Sequence, residues 1–276
     1  MAKLAEHFDP IGIDSYLAVQ HIDRYRFAQK FIRPNDSVLD IACGSGYGTM
    51  MLLRAGGEVV GCDYDETLIG ELRDRWKCDK FRYANALSLP FRDEYFDVVV
   101  SFETIEHLTD SQSFISEIRR VLKPGGIFIC STPNICYTAH PELHVKEYQP
   151  KEFFQLMKNN FSQVEKFGQY FRPSDRINDL YHWHYKSQLQ HFSVVKSSTI
   201  FFLKQILNLF TFIKRFMGYF LKSISYGNVN RQISSPITWE KEIGKICKTP
   251  ASIRYGVQSY KGPKWLRIMV TVAGKG

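Results

Sequence analysis

The sequence lacks the cysteine spacing, the phosphate-loop motif and the secretory leader that would define several common classes of protein. Its six cysteines include no Cys-x-x-Cys pair, and several fall in predicted buried strands. We therefore expect neither disulfides nor a zinc site. No Gly-Lys-Ser/Thr sequence follows its glycine-rich turn, which excludes a P-loop nucleotide binder. The first residues lack the apolar core of a signal peptide, so we expect a cytoplasmic protein.

An excess of acidic residues is also missing, since 36 lysines and arginines outnumber 28 aspartates and glutamates and leave a net charge of +8. This balance favours an anionic partner, whether an acidic sugar, a nucleic acid or a membrane surface. We find no recognised RNA-binding module and no dense basic cluster, so a nucleic acid is not favoured. The 276 residues, 44% of them hydrophobic, suffice for one α/β domain with additions.

The most informative stretch runs from Val38 to Thr49 and predicts a buried strand, a glycine-rich turn and the start of a helix. The next predicted strand ends at Asp63. Glycines let the backbone approach a ligand, and an acid about 20 residues further on accepts hydrogen bonds from ribose hydroxyls. The third glycine comes too early for the usual Gly-x-Gly-x-x-Gly of dinucleotide binding. The pattern therefore predicts a nucleoside cofactor bound to a doubly wound α/β sheet.

The order Asp-x-x-Cys-Gly-x-Gly-x-Gly resembles motif I of the class I S-adenosylmethionine-dependent methyltransferases, and the likeness extends over about residues 20–170. The resemblance implies S-adenosylmethionine as cofactor and a Rossmann-like seven-stranded, mostly parallel sheet with an antiparallel last strand. Asn85-Ala86 stands where the family usually has Asp-Ala near the adenine. The residues that the resemblance places at the cofactor are Arg24, Tyr25, Asp40, Ala42, Gly44, Gly46, Asp63, Tyr64, Asn85, Ala86, Leu87, Ser101 and Phe102.

The remaining elements follow from apolar periodicity and stop signals. We predict helices over 16–28, 117–126 and 151–159, strands over 95–101, 127–134 and 162–168, and a last strand within 265–273. The helix over 117–126 is expected to end at its Pro-Gly-Gly sequence. Four segments are expected: N-terminal capping helices (1–34), the cofactor-binding core (35–169), a mainly helical insertion that forms an acceptor lid (170–262) and the final core strand (263–276).

A second group of candidate site residues follows the fourth predicted strand. If helical, Glu103, Glu106 and His107 stand at i, i+3 and i+4 and share one face. That face lies at the carboxyl end of the central strands, where open α/β sheets bind ligands. Two carboxylates and an imidazole would attract a divalent cation there, and His144 is available as a further ligand. Without a metal, His107 would be a catalytic base or a cap, and the two glutamates would be solvated.

The Glu-x-x-Glu-His sequence and the later His144 also resemble three groups of O-methyltransferases. These are the small-RNA 3′-terminal 2′-O-methyltransferases, the ubiquinone-pathway O-methyltransferases and the 3-O-methyltransferases of 3-deoxy-octulosonic acid. The resemblance implies that Glu103, Glu106, His107 and His144 bind Mg or Mn, with His140 as a competitor for the last position. It also implies catalytic roles for His107, Glu106 and His144. We therefore expect a metal-assisted O-methyltransferase.

The acceptor is predicted from a resemblance near the N-terminus. The N-terminal His-x-x-Arg-Tyr-x-x-Ala sequence resembles methyltransferases that accompany glycosyltransferases in surface-polysaccharide assembly, and we therefore favour a sugar or glycan hydroxyl. An RNA 3′-terminal ribose and a quinol or other small molecule methylated without metal are the alternatives. A non-catalytic partner subunit is disfavoured because the acidic and histidine residues are intact.

The segment 199–222 predicts a strongly apolar helix with a basic stripe. Charged residues interrupt each of its apolar runs, which argues against a transmembrane span. Such a helix packs against the body of the protein or a partner subunit in a homodimer. Alternatively, it lies in the interface of the inner membrane surface, with its basic stripe toward the lipid headgroups.

Overall fold

The computed structural model describes residues 9–10, 16–137, 144–170, 257–260 and 266–276. They belong to one compact unit, formed by Met1–Asp175 and Ser235–Gly276. The helices are α1 (Tyr16–Gln29), α2 (Tyr47–Leu53), α3 (Glu66–Trp76), α4 (Ser111–Val121) and α5 (Pro150–Asn160). The strands are β1 (Ser37–Ile41), β2 (Glu58–Asp63), β3 (Phe81–Tyr83), β4 (Phe96–Phe102), β5 (Leu122–Pro133), β6 (Gln163–Tyr170), β7 (Gln258–Ser259) and β8 (Leu266–Gly274).

The strands form one mixed sheet in the order β3-β2-β1-β4-β5-β8-β6-β7. The first five strands pair in parallel, and β8 runs antiparallel to both of its neighbours, β5 and β6. This arrangement confirms the predicted α/β fold with an antiparallel last strand. It contains one strand more than predicted, because the two residues of β7 pair with the edge of β6. A strand of two residues is too short to give a periodic signal in the sequence.

The central strands are buried on both faces, as expected for parallel strands covered by helices. In β4, Val98 and Val100 pack with α1, α2 and α3, whereas Val99 packs with α4 and α5 on the opposite face. The same alternation holds in β1, where Val38 and Leu39 belong to different clusters. The carboxyl ends of these strands therefore reach one common edge, between two helical layers.

Both ends of one predicted helix were wrong. The helix expected over 117–126 spans Ser111–Val121, and β5 begins directly at Leu122. The Pro-Gly-Gly sequence belongs to the irregular start of this strand, since Gly125 N–H donates to Lys275 O at 2.9 Å. Lys123 Nζ, in the same part of β5, donates to Asp97 Oδ2 at 2.7 Å.

The predicted insertion at 170–262 lies almost entirely outside the described residues, as does the predicted apolar helix at 199–222. The four predicted segment boundaries therefore stay predictions. Within the part of the chain that the structure describes, no helix combines the length and the apolarity needed to cross a membrane.

Candidate active site

The glycine-rich turn joins β1 to α2 at the carboxyl edge of the sheet. Ala42, Gly44 and Gly46 all have positive φ angles, of 55°, 52° and 76°. A Cβ atom at Gly46 would lie 2.8 Å from both the Trp76 indole nitrogen and the Phe81 ring, so only glycine fits there. The sequence therefore produces a tightly wound loop that is accessible at Ala42 and Gly44, whereas Ser45 and Gly46 are buried.

Asp63 ends β2 beside this turn, as predicted. Its carboxylate accepts hydrogen bonds from Gly44 N–H at 3.0 Å and from Asp65 N–H at 3.2 Å. Both bonds orient the side chain toward the mouth of the turn. This is the position at which the family resemblance expects an acid for the ribose.

Asp40 lies under the turn and is fully buried. Its two oxygens accept hydrogen bonds from Tyr25 Oη at 3.1 Å and from Thr49 Oγ1 at 2.7 Å. Burial raises the pKa of Asp40 from 3.8 to about 7, although both hydrogen bonds act in the opposite direction. The Tyr25 ring packs edge-on against Phe102, with ring centroids 5.0 Å apart. Helix α1 is thereby joined to the predicted cofactor site through Tyr25.

Arg24 is only 1% exposed, although arginine rarely lies so deep in a protein. Its Nη1 donates to Gln169 Oε1 at 2.8 Å. Its Nε and Nη2 atoms have no hydrogen-bond partner among the described residues. A buried guanidinium with two unmatched donors is costly, and an anionic ligand would satisfy it.

The predicted adenine side is more open. Asn85 Oδ1 accepts from Leu87 N–H at 2.9 Å and shapes the turn that includes Ala86. Tyr64 is 56% exposed and its ring lies 5.7 Å from that of Tyr83. These residues lie at the ends of β2 and β3, on the side of the sheet where the resemblance expects the adenine.

Glu106, His107 and His144 form a compact group of metal-ligating side chains. Their ligand atoms all lie within 4.8 Å of one another. The two imidazoles meet edge to face, with ring centroids 5.0 Å apart. The N–H groups of Val145 and Lys146 donate to Glu106 O at 2.8 and 3.0 Å, and so bring the loop of His144 to the turn.

Glu106 is almost completely buried. Thr132 donates to its Oε2 at 2.9 Å, whereas its Oε1 has no hydrogen-bond partner in the described part of the chain. Burial, and secondly the charge of Glu103, holds the pKa of Glu106 well above its ordinary value. One carboxylate and two imidazoles form a donor set that fits a divalent first-row ion, and such an ion would satisfy the unmatched oxygen.

The helix that would give residues 103–107 one shared face does not form. Only Ile105–His107 is helical, as one short 3₁₀ turn, and Glu103 has a φ angle of 53°. Glu103 N–H instead bonds to Ser131 O at 3.1 Å, and Ser131 Oγ donates to Glu103 Oε1 at 2.8 Å. Glu103 thus lies outside the compact group. Of the other predicted residues, Ser101 is fully buried at the end of β4, and His140 lies outside the described residues.

Three residues that hold the predicted ones in place were not predicted from the sequence. Thr49 and Thr132 donate to Asp40 and Glu106, and Gln169 accepts from Arg24. Thr49 stands just after the glycine-rich turn, so its place on the first turn of a helix was a usable signal. The other two come from strands that meet their partners only in the folded sheet.

Comparison with known proteins agrees with this architecture. Residues 39–130 match a family model described as a methyltransferase domain. A probable S-adenosylmethionine-dependent methyltransferase of Mycolicibacterium smegmatis is 38% identical over 134 residues, which are 46% of this chain and 52% of that protein. The ubiquinone biosynthesis O-methyltransferase of Ruegeria pomeroyi is 38% identical over 101 residues, or 35% of this chain and 41% of that protein.

The solved structure of a methyltransferase from Thermotoga maritima, described as a possible histamine N-methyltransferase, superposes with a TM-score of 0.53. It covers 95% of this chain and 93% of its own at 13% identity, which shows the shared fold alone. The chain spans about half the length of the curated relatives it matches. Residues 39–130 are thus similar to that methyltransferase domain family, and the sheet has the fold of the Thermotoga maritima structure. Residues 39–130, which carry the glycine-rich turn, Asp63 and the Glu106-His107 pair, are the part of this chain that matches the family.

Proposed function

We propose that this protein methylates an acceptor hydroxyl with S-adenosylmethionine, assisted by a divalent metal ion at Glu106, His107 and His144. The observation that carries the proposal is Glu106 Oε1, a buried carboxylate oxygen without a hydrogen-bond partner among the described residues. A cation between this oxygen and the two imidazoles would compensate its burial. Magnesium or manganese suits the oxygen ligands, and the imidazoles also suit other first-row ions. Glu103 stays a predicted fourth ligand.

The neighbouring residues hold this group in place. Thr132 donates to one oxygen of Glu106 and thereby orients the other. Glu147 Oε1 lies 3.2 Å from Nδ1 of His144, which leaves Nε2 of this ring for a metal or for the acceptor. An imidazole that is not a ligand can take the proton of the acceptor hydroxyl. When bound, the cofactor supplies the methyl group and the ion polarises the acceptor oxygen.

The cofactor side of the proposal assigns one charged group to each polar part of S-adenosylmethionine. Asp63 takes the ribose hydroxyls, since two backbone N–H groups already orient its carboxylate. Asp40 accepts from the ammonium of the methionine group, directly or through the backbone of the turn. The buried Arg24 takes the methionine carboxylate, because this ligand carries the charge that the guanidinium lacks. Tyr64 and Asn85 lie on the adenine side.

A sugar or glycan hydroxyl is the acceptor that we favour. The N-terminal sequence around Arg24 and Tyr25 and the net charge of +8 support it. Association with the inner membrane surface, or a homodimer, through residues 199–222 belongs to the same proposal. A quinol is the second candidate, supported by the match to a ubiquinone biosynthesis O-methyltransferase. The exposed Ile135 and Val145, on the two segments beside the metal-ligand group, would suit such an apolar acceptor.

Metal binding tests the proposal most directly. We would titrate chelator-treated protein with Mn²⁺ by calorimetry and compare Glu106→Gln with Glu71→Gln, an exposed glutamate of α3. The expected result is one Mn²⁺ per wild-type or Glu71→Gln chain and at least about tenfold weaker binding in Glu106→Gln. S-adenosylmethionine should bind all three proteins equally. Wild-type protein that binds the cofactor but no Mn²⁺ would refute the metal and leave His107 as a general base.

The acceptor class is tested by transfer of a labelled methyl group. Acidic sugars and glycan precursors, catechols and hydroquinones, and RNA with a free 3′-terminal ribose are offered in parallel, with Mn²⁺ or Mg²⁺ present. Methylation of a sugar hydroxyl is the expected outcome. Transfer only to the aromatic hydroxyls, or only to RNA, would replace the glycan by that class.

A further inference from the structure

Gln169 is a buried polar residue at the same edge of the sheet as the candidate active site. In the ladder it pairs with Ile268, and Ile268 pairs with Pro133 of β5. One residue before Pro133 stands Thr132, which donates to Glu106. Gln169 therefore lies level with the last paired residue of β5, on the side where ligands of open α/β sheets bind.

Both ends of the Gln169 amide are used. Its Oε1 accepts from Arg24 Nη1 at 2.8 Å, and its Nε2 donates to Gln20 O at 3.0 Å. Gln20 and Arg24 are one turn apart on α1, so a single side chain of β6 holds this turn of the helix against the sheet. These two hydrogen bonds need one acceptor and one donor on the same neutral side chain. An amide supplies both, whereas a carboxylate does not.

The bond to Gln169 determines which part of Arg24 remains for a ligand. With Nη1 occupied, the two nitrogens without a partner in the described structure are Nε and Nη2. These two N–H groups lie on one side of the planar guanidinium and match the two oxygens of a carboxylate. The edge of the guanidinium that suits bidentate binding is thus the edge without a hydrogen-bond partner in the described structure.

The charge of Arg24 acts both on the predicted cofactor turn and on the metal-ligand group. Burial raises the pKa values of Tyr47 and Glu106, and the positive charge of Arg24 counteracts the rise in both. Tyr47 is the first residue of α2, directly after the glycine-rich turn, and Glu106 belongs to the metal-ligand group. Arg24 is therefore close enough to act electrostatically on both the turn that would hold the methionine group and the residues that would hold the acceptor.

We propose that Gln169 is a positioning residue for the cofactor: it holds Arg24 Nη1 so that Nε and Nη2 bind the methionine carboxylate of S-adenosylmethionine. The inference rests on the proposed function, because it assumes that the cofactor binds at the glycine-rich turn. A carboxylate of an acidic acceptor would have the same chemistry, so the test has to separate these two sources.

Two ligands make this separation. S-adenosylhomocysteine has the carboxylate, whereas S-adenosylthiopropylamine keeps the nucleoside, the sulfur and the amine but lacks it. Calorimetry with Gln169→Met, which keeps the length of the side chain without its polar atoms, should show about tenfold weaker binding of the first ligand. Binding of the second should stay within about twofold. Gln163→Leu, an exposed glutamine on the same strand, should leave both affinities unchanged.

A double-mutant cycle tests whether Gln169 acts through Arg24. In the Arg24→Met background, Gln169→Met should cause no further loss of S-adenosylhomocysteine affinity, because the group that it positions is gone. Gln169→Glu keeps the acceptor atom but adds a charge that neutralises Arg24, and it should discriminate against the carboxylate more strongly than Gln169→Met. It also serves as the second variant if Gln169→Met does not fold.

The possible results are distinguishable. Wild-type protein that binds neither ligand would overturn the proposed function itself. Wild-type protein that binds both, with variants that weaken both equally or neither, would overturn only the role of Gln169. Such a result is also expected if Arg24 binds a carboxylate of the acceptor and not that of the cofactor. A selective loss for the carboxylate-bearing ligand is the result that we expect.

Discussion

Binding of the cofactor should be linked to the release of a proton from Asp40. This carboxyl is fully buried between Tyr25 and Thr49, and its pKa is raised from 3.8 to about 7 by burial. At pH 6 the ligand-free protein therefore holds Asp40 mostly protonated. The ammonium of the cofactor favours the ionised form, so binding below pH 7 has to expel the proton.

The size of the effect follows from the pKa. A rise of about 3 units corresponds to about 4 kcal/mol against ionisation. Between pH 3.8 and 7 the folded protein keeps a proton that the unfolded chain has lost, so stability decreases as the pH rises through this window and is level above it. The pH dependence of cofactor binding has the opposite sign, because the affinity increases as the pH rises. S-adenosylhomocysteine should bind roughly tenfold more weakly at pH 6 than at pH 8.

Calorimetry in two buffers of different ionisation enthalpy measures both the affinity and the number of protons released. About 0.9 protons per ligand are expected at pH 6, and about 0.5 at pH 7. Asp40→Asn keeps an acceptor for Tyr25 and Thr49 but cannot titrate, so its affinity should be lower at pH 8 and independent of pH. A wild-type affinity that is the same at pH 6 and pH 8, or an Asn variant with the wild-type slope, would refute the linkage.

Two further predictions concern the folded core. Burial raises the pKa of Asp23 from 3.8 to about 6. The unfavourable contribution of this group to the free energy of folding therefore grows between these two pH values and is complete above them. Asp23→Asn should stabilise the protein by about 2 kcal/mol at pH 8, allowing for the lost contact with Arg26, and by almost nothing at pH 4 in urea unfolding. A Cβ atom at Gly48 would lie 2.0 Å from the Tyr25 ring, whereas one at Gly70 has no atom within 4 Å. Gly48→Ala should therefore cost about 3 kcal/mol and weaken cofactor binding, while Gly70→Ala, at an exposed position of α3, should gain up to about 1 kcal/mol. Equal melting temperatures of the two variants would contradict this.

The parts of the fold that were predictable from the sequence have local causes. Apolar runs define β1, β2 and β4, and the turn before α2 needs glycine at Gly46 because Trp76 and Phe81 leave no space for a side chain. The conformation of the turn after β4 could not be predicted, for an equally physical reason. The spacing of its acidic residues suits an α-helix, but the N–H of Glu103 continues the ladder to Ser131 of β5. That bond exists only once β5 lies beside β4, so no local pattern could reveal it.

The residues that orient the charged groups could not be recognised from the sequence, because only the order of the strands brings them to their partners. Because β8 inserts between β5 and β6, the end of β6 comes to lie under α1, and Gln169 meets Arg24 across 145 positions of the chain. A glutamine has no charge and no motif of its own, and its importance comes entirely from the buried cation that it touches. Arg24 was noticeable in the sequence, but its orientation was not, since the same arginine in solvent would have no preferred edge. The charged residues of this site can thus be recognised from the local sequence, whereas the orientation of their side chains depends on the topology of the sheet.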